Sequence, residues 1–241
     1  MTPVLLFVAA IVAGAIAALA GFGIGSVLTP LLALSVGTKE AVVAVSIPHL
    51  VATALRFWNL RSAIDRTVLR NFGIASAAGG LLGALLGARF SSPALGYILG
   101  VLLVFAGLTG LIGISQRMRF GQKAAWLGGA VSGVLGGLVG NQGGIRSAAL
   151  LGFNLQARAF VATATAIALI VDGARMPVYF FSSPATLERL WLSIVAMVAG
   201  GAIGTIAGGR VLSRIPELYF RRLVSLLILA LGVVMLSGLA K

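Results

Sequence analysis

The sequence predicts an all-α polytopic membrane protein built from two internal repeats, and three observations carry that prediction. Of 241 residues, 59% are hydrophobic and 10% charged, with a mean hydropathy of +1.10, a composition expected only where lipid replaces water as solvent. Apolar stretches tile the chain from Val4 to Leu239 and leave no room between them for a soluble domain. Two glycine-rich breaks, Gly21-Phe22-Gly23-Ile24-Gly25 and Gly140-Asn141-Gln142-Gly143-Gly144, interrupt those stretches at matching places.

The apolar segments run over 4–20, 26–36, 40–56, 71–88, 94–113, 124–139, 145–155, 157–174, 190–208 and 219–238. The first lacks a basic leader and a small-residue cleavage site and reads as mature protein rather than signal peptide. The segments at 26–36 and 145–155 would be roughly 16 Å long as helices. They are too short to cross a hydrocarbon core of about 30 Å. A shift of 119 residues lays Gly21 on Gly140, Lys39 on Arg158 and Arg56 on Arg175. A shift of 121 lays Gly79-Gly80-x-x-Gly83-x-x-x-Gly87-x-Arg89 on Gly200-Gly201-x-x-Gly204-x-x-x-Gly208-x-Arg210. Such small-residue spacing lets helices approach closely, and these glycines are read as packing positions. The repeats are taken as 1–119 and 120–241, with four to five segments each.

Basic residues arbitrate between parallel and inverted repeats. If each broken stretch spans the membrane, the basic residues divide ten to eight. If each is a re-entrant hairpin followed by three spans, the repeats are inverted. Twelve then share one face, among them Arg56, Arg61, Arg66, Arg70, Arg210, Arg214, Arg221 and Arg222, against Lys39, Arg89, Arg175, Arg189 and Lys241. The second division fits the positive-inside rule better. It places both termini outside the cytoplasm and accounts for most of the net charge of +13 without nucleic acid. Trp58, Trp126 and Trp191 fall at segment ends, where interfacial belts place tryptophan.

Cysteine is absent, and one histidine with five acids leaves neither a metal site nor a catalytic constellation. No cofactor is expected. Matching broken helices in two halves of a membrane chain instead point to a transporter's binding site. Backbone freed at such a break must be satisfied by protein, water or a ligand, and each following short helix turns its free N–H groups and positive dipole end toward an anion. Gly21, Phe22, Gly23, Gly25 and Ser26 form one half of the expected substrate site, and Asn141, Gln142, Gly143, Gly144 and Arg146 the other. The short helices are expected to start near Ser26 and Ile145. Arg146 has two readings: a fork for an anion's oxygens, or a salt bridge to Asp172, the one acid well inside an apolar stretch. Val27 occupies the equivalent place in the first half. Asp172 and Arg175, at i and i+3, read as an ion pair near a helix end or as a proton-coupling site. His49, after Pro48, reads as hydrogen-bonded packing or as a proton relay.

The segment Ala20-Gly21-Phe22-Gly23-Ile24-Gly25-Ser26-Val27-Leu28-Thr29-Pro30-Leu31-Leu32 resembles the first signature of the TauE/SafE family of sulfite exporters and sulfonate-related permeases. The segment Gly136-Gly137-Leu138-Val139-Gly140-Asn141-Gln142-Gly143-Gly144 resembles the second, with Asn141-Gln142 and Arg146 where small residues are expected. The resemblance covers essentially the whole chain. It implies a secondary transporter of small sulfur-containing anions, such as sulfite or organosulfonates, in the bacterial cytoplasmic membrane. The expected partners are a small anion and the lipid bilayer, with a monomer or homodimer as the assembly. An anion channel, or a transporter of a non-sulfur organic anion, is the alternative.

Overall fold

A computed structural model describes residues 1–21, 23–113, 122–140, 143–150, 153, 155–212 and 217–237, and every regular element among them is helical. In chain order the α-helices are α1 (Pro3–Ala20), α2 (Ile24–Val36), α3 (Thr38–Leu60), α4 (Arg66–Gly87), α5 (Ser92–Ile112), α6 (Gln122–Val139), α7 (Gly143–Leu150), α8 (Ala157–Ser182), α9 (Pro184–Arg189), α10 (Trp191–Leu212) and α11 (Glu217–Leu236). A short 3-10 turn, Arg61–Ala63, extends α3. Six of the helices are long and apolar enough to cross a membrane: α1, α3, α4, α5, α8 and α10. The run Ile24–Val36 is shorter. The predicted all-α polytopic class therefore holds.

Local chemistry sets the helix ends. Thr2 caps α1 by accepting from the Leu5 N–H, with Pro3 at the first helical position. Asp65 caps α4, its Oδ1 accepting from the N–H groups of Thr67 at 3.0 Å and Val68 at 2.9 Å. Its own N–H donates to Thr163 Oγ1 at 3.0 Å and fastens the start of α4 to α8. The tryptophan side chains are exposed, as expected for lipid-facing or interfacial positions: Trp58 near the end of α3, Trp126 in α6 and Trp191 at the start of α10.

Packing is reciprocal between the halves. The broad helix pairs are α1 on α10, α4 on α6 and α5 on α11, with α3 also against α8. In the sequence alignment α6 corresponds to α1 and α10 to α4. Each break-bearing arm therefore packs on the other half's glycine helix, which is the contact pattern a two-fold relation generates. The glycines make this possible. A Cβ at Gly83 would strike the Val134 carbonyl, and one at Gly204 the Ile11 carbonyl. The two interfaces differ in register. Gly79 meets Ala130, which aligns with Ile11, but Gly200, the counterpart of Gly79, meets Phe7. Gly83 meets Val134, which aligns with Ala15, but Gly204 meets Ile11. The offset is four residues at both places, about one helical turn or roughly 5.4 Å of pitch.

Candidate functional site

The arms α1 and α6 end alike. Gly21 and Gly140 adopt left-handed backbone, φ 76° and 71°, a conformation that costs a residue with a Cβ about 1–2 kcal/mol. The turn lets the Gly21 N–H donate back to the Ala17 carbonyl and the Gly140 N–H to the Gly136 carbonyl, both at 3.0 Å. Each of those carbonyls also accepts from a buried arginine. Arg56 Nη1 donates to Ala17 O and Arg175 Nη1 to Gly136 O, each at 2.5 Å. Ala17 and Gly136 are 119 residues apart, as are Arg56 and Arg175. An arginine on the third helix of each half thus satisfies backbone at its own break, as a broken helix within a membrane requires.

The short helices start within the breaks, two residues earlier than expected in each half: α2 at Ile24 and α7 at Gly143. Gly23, at φ 143°, leads into α2. The breaks touch: a Cβ at Gly25 would strike the Gly140 carbonyl. Between them lies a small pocket lined by Gly21, Gly23, Gly25, Ser26, His49, Arg56, Gly140, Gly143, Arg146 and Ala168. Sequence reasoning placed Gly21, Gly23, Gly25, Ser26, Gly143 and Arg146 at one site, and all six line this cavity. Gly144 is the second residue of α7. Phe22, Asn141 and Gln142 lie outside the described residues.

Arg146 is 3% exposed. Its Nη1 donates to the Ala164 carbonyl at 3.2 Å, and its Nε and Nη2 have no hydrogen-bond partner among the described residues. The salt bridge to Asp172 considered from the sequence does not form. Asp172, fully buried, is occupied instead by Arg175 Nη2 against Oδ1 at 2.7 Å and by His49 Nδ1 against Oδ2 at 2.7 Å. The carboxylate can only accept, so the histidine donates through Nδ1. Asp172 and Arg175 do pair at i,i+3, but in the middle of α8 rather than near a helix end. Apolar residues carry that helix past the predicted end at 174 and through Pro177 to Ser182. Tyr179, one turn beyond Arg175, donates its hydroxyl to the Gly137 carbonyl at 2.5 Å.

Two residues assigned to the flanks belong to the interior. Arg56 is 4% exposed and Arg175 1%. Removing them from the basic tally leaves eleven against four, so the asymmetry survives. Arg56 is the site residue that sequence reasoning missed. Two signals marked it: the shift that joined the breaks also joined Arg56 to Arg175, and Phe57-Trp58-Asn59-Leu60 continues the apolar segment beyond it.

Long apolar helices around two broken ones, with paired buried charge at the breaks, define a multi-pass membrane protein of the transporter class. A family model described as Sulfite exporter TauE/SafE matches residues 6–235, and the chain belongs to this family. No curated protein and no solved structure matches it.

Proposed function

We propose that the protein is a secondary transporter that binds a small sulfur-containing oxyanion, such as sulfite or an organosulfonate, between its two breaks. The observation that carries this reading is the convergence on one cavity of the starts of α2 and α7 with the guanidinium groups of Arg56 and Arg146. Helix N-termini and arginine forks are both suited to oxyanions. The family assignment supplies the sulfur chemistry.

Transport proceeds by alternating access around the breaks. The one-turn difference in register between α1 on α10 and α6 on α4 supports this. A pair of related interfaces at two registers is what a half-open, half-closed molecule would present, and one-turn slides between packed helices are a known switching device. In this reading the repeats are inverted, α1–α2 and α6–α7 are re-entrant hairpins, and both termini face away from the cytoplasm of a bacterial cell. His49 and Asp172 form a proton-coupling pair.

Counterflow in proteoliposomes tests the function. Internal sulfite or sulfoacetate should accelerate uptake of the labelled anion, and the flux should saturate. Conductance without exchange would replace the transporter with a channel. Arg146→Ala should weaken anion binding by about 1.5–3 kcal/mol, roughly tenfold to a hundredfold, with Arg146→Lys restoring only part. Unchanged affinity in folded Arg146→Ala protein would remove that residue from the site. Reporter fusions at the termini test the topology, and strong cytoplasmic signals at both would rule out the inverted arrangement.

A further inference from the structure

The charges around the cavity do not balance. Of the five acids, Glu40, Asp65, Glu188 and Glu217 lie at, near or between helix ends, and Asp172 alone lies in the interior of a long apolar helix. Its two oxygens are already engaged by Arg175 and His49. Among the described residues, Arg56 and Arg146 have only neutral partners. For Arg56 these are the Ala17 carbonyl and, at 3.4 Å, Thr53 Oγ1; for Arg146 the partner is the Ala164 carbonyl. Both are more than nine-tenths buried, both line the cavity, and three of their N–H-bearing atoms lack a hydrogen-bond partner among the described residues: Arg56 Nε, Arg146 Nε and Arg146 Nη2. Arg175 is answered by Asp172, so Arg56 and Arg146 are the two buried guanidinium groups at the cavity that have no carboxylate partner among the described residues. An uncompensated buried charge is costly, and a bound counter-charge removes that cost.

We propose that the cavity takes its substrate as a doubly charged anion, with one negative charge answering Arg56 and the other Arg146. This rests on the anion-transport reading above and narrows its substrate class. Fully ionised oxyanions and short sulfo-carboxylates satisfy both arginines, while a sulfonate with one charge leaves one guanidinium unanswered. The preference arises from charge number and not from sulfur, so a two-charge carboxylate of similar size competes for the site.

The experiment is isothermal titration of the purified full-length protein with sulfate and with methanesulfonate at matched ionic strength. The two are similar in size, and the second replaces one charged oxygen by methyl. Sulfate should bind at least about tenfold more tightly, a difference of roughly 1.4 kcal/mol. Arg56→Gln and Arg146→Gln should each bring the two affinities close to equality while methanesulfonate still binds. The wild-type ratio tests the proposal even where a variant fails to fold. Methanesulfonate binding as tightly as sulfate, or more so, overturns the proposal and leaves anion transport standing. A sulfate preference that survives both substitutions overturns the assignment to these arginines. Binding of neither anion sinks the anion reading together with its charge rule.

Discussion

Arg56 in the first half and Arg175 in the second perform one structural task with different electrostatic outcomes. Each donates Nη1 to the carbonyl that also receives the N–H of its left-handed glycine. Each looks back three residues along its own helix. Arg56 finds Thr53, a neutral hydroxyl at 3.4 Å, whereas Arg175 finds Asp172, a carboxylate at 2.7 Å. The first half then lends His49 to the second, bonded to the same carboxylate. Ala168, the counterpart of His49 under the 119-residue shift, offers nothing in return. Val27 and Arg146 differ at a third equivalent pair. The two halves share the backbone problem, a helix that ends at a left-handed glycine, and its arginine solution. The halves diverged in what surrounds the arginine, so that one is neutralised within the protein and the other retains its charge at the cavity.

The largest expected effect breaks that comparison directly. Arg175→Ala leaves Asp172 buried with only His49, and removing one partner of a buried ion pair costs about 3–5 kcal/mol. Arg56→Ala removes an unbalanced charge and leaves neutral groups behind, so its stability cost should stay near one hydrogen bond, about 1 kcal/mol. Melting curves on both variants compare them. Adding Asp172→Asn to Arg175→Ala should recover much of the loss, because the two residues act as a unit. Equal destabilisation by the two alanine variants would mean that Asp172 does not distinguish the halves.

Packing glycines come next. Gly83 and Gly204 hold equivalent places and face carbonyls one turn apart in register, Val134 and Ile11. Alanine at either position forces its helix pair apart and should cost about 1–3 kcal/mol. Similar melting shifts in both variants would show that both registers are tightly packed. A neutral Gly204→Ala would place α1 on α10 in some other register and remove the offset that supports alternating access.

The left-handed glycines give a smaller effect and a graded one. At Gly21 an added Cβ meets only Val161 Cγ1, at 3.8 Å, so Gly21→Ala should cost the backbone strain alone, about 1–2 kcal/mol. At Gly140 the Cβ would lie 3.3 Å from Thr29 Oγ1, so Gly140→Ala should be the more destabilised in the same melting assay. The reverse order would assign the two turns different backbone conformations.

The breaks, the repeat and the packing glycines were legible because each depends on local composition at a fixed spacing. Gly21, Gly140 and the Gly79/Gly200 motifs are recognisable without knowing what they touch. The partners of charged side chains were less so. Asp172 has Arg175 within reach on its own helix, which spacing reveals, but His49 arrives from another helix 123 residues away. Arg146 also reaches α8, yet it takes the Ala164 carbonyl rather than the carboxylate one turn pair further along. Arg56 was misread because an arginine near the end of an apolar run ordinarily lies at the membrane surface. Only its alignment with Arg175 marked it as interior.

The smallest expected effect concerns the far end of the same helices. Lys39 at the start of α3 aligns with Arg158 at the start of α8, and the two are used differently. Lys39 is half-buried. Its Nζ donates to the Ala88 carbonyl at 2.7 Å, where α4 ends, and its backbone N–H donates to Ser92 Oγ at 3.1 Å, where α5 begins. A cation on the closing carbonyls of a helix is favourable through both the hydrogen bond and the helix dipole. Arg158 is exposed, where a charge contributes little. Lys39→Ala should therefore cost about 1 kcal/mol, the typical net value of one hydrogen bond, at this half-exposed site, while Arg158→Ala should fall within about 0.5 kcal/mol of the wild type. Lys39→Gln should retain part of the effect by donating to the same carbonyl without charge. Melting curves at low and high salt separate the contributions: the Lys39→Ala loss should shrink as salt screens the dipole term, and the hydrogen-bond share should remain. Equal losses at Lys39 and Arg158 would mean that the halves are fastened alike at this end, confining their divergence to the charges around the cavity.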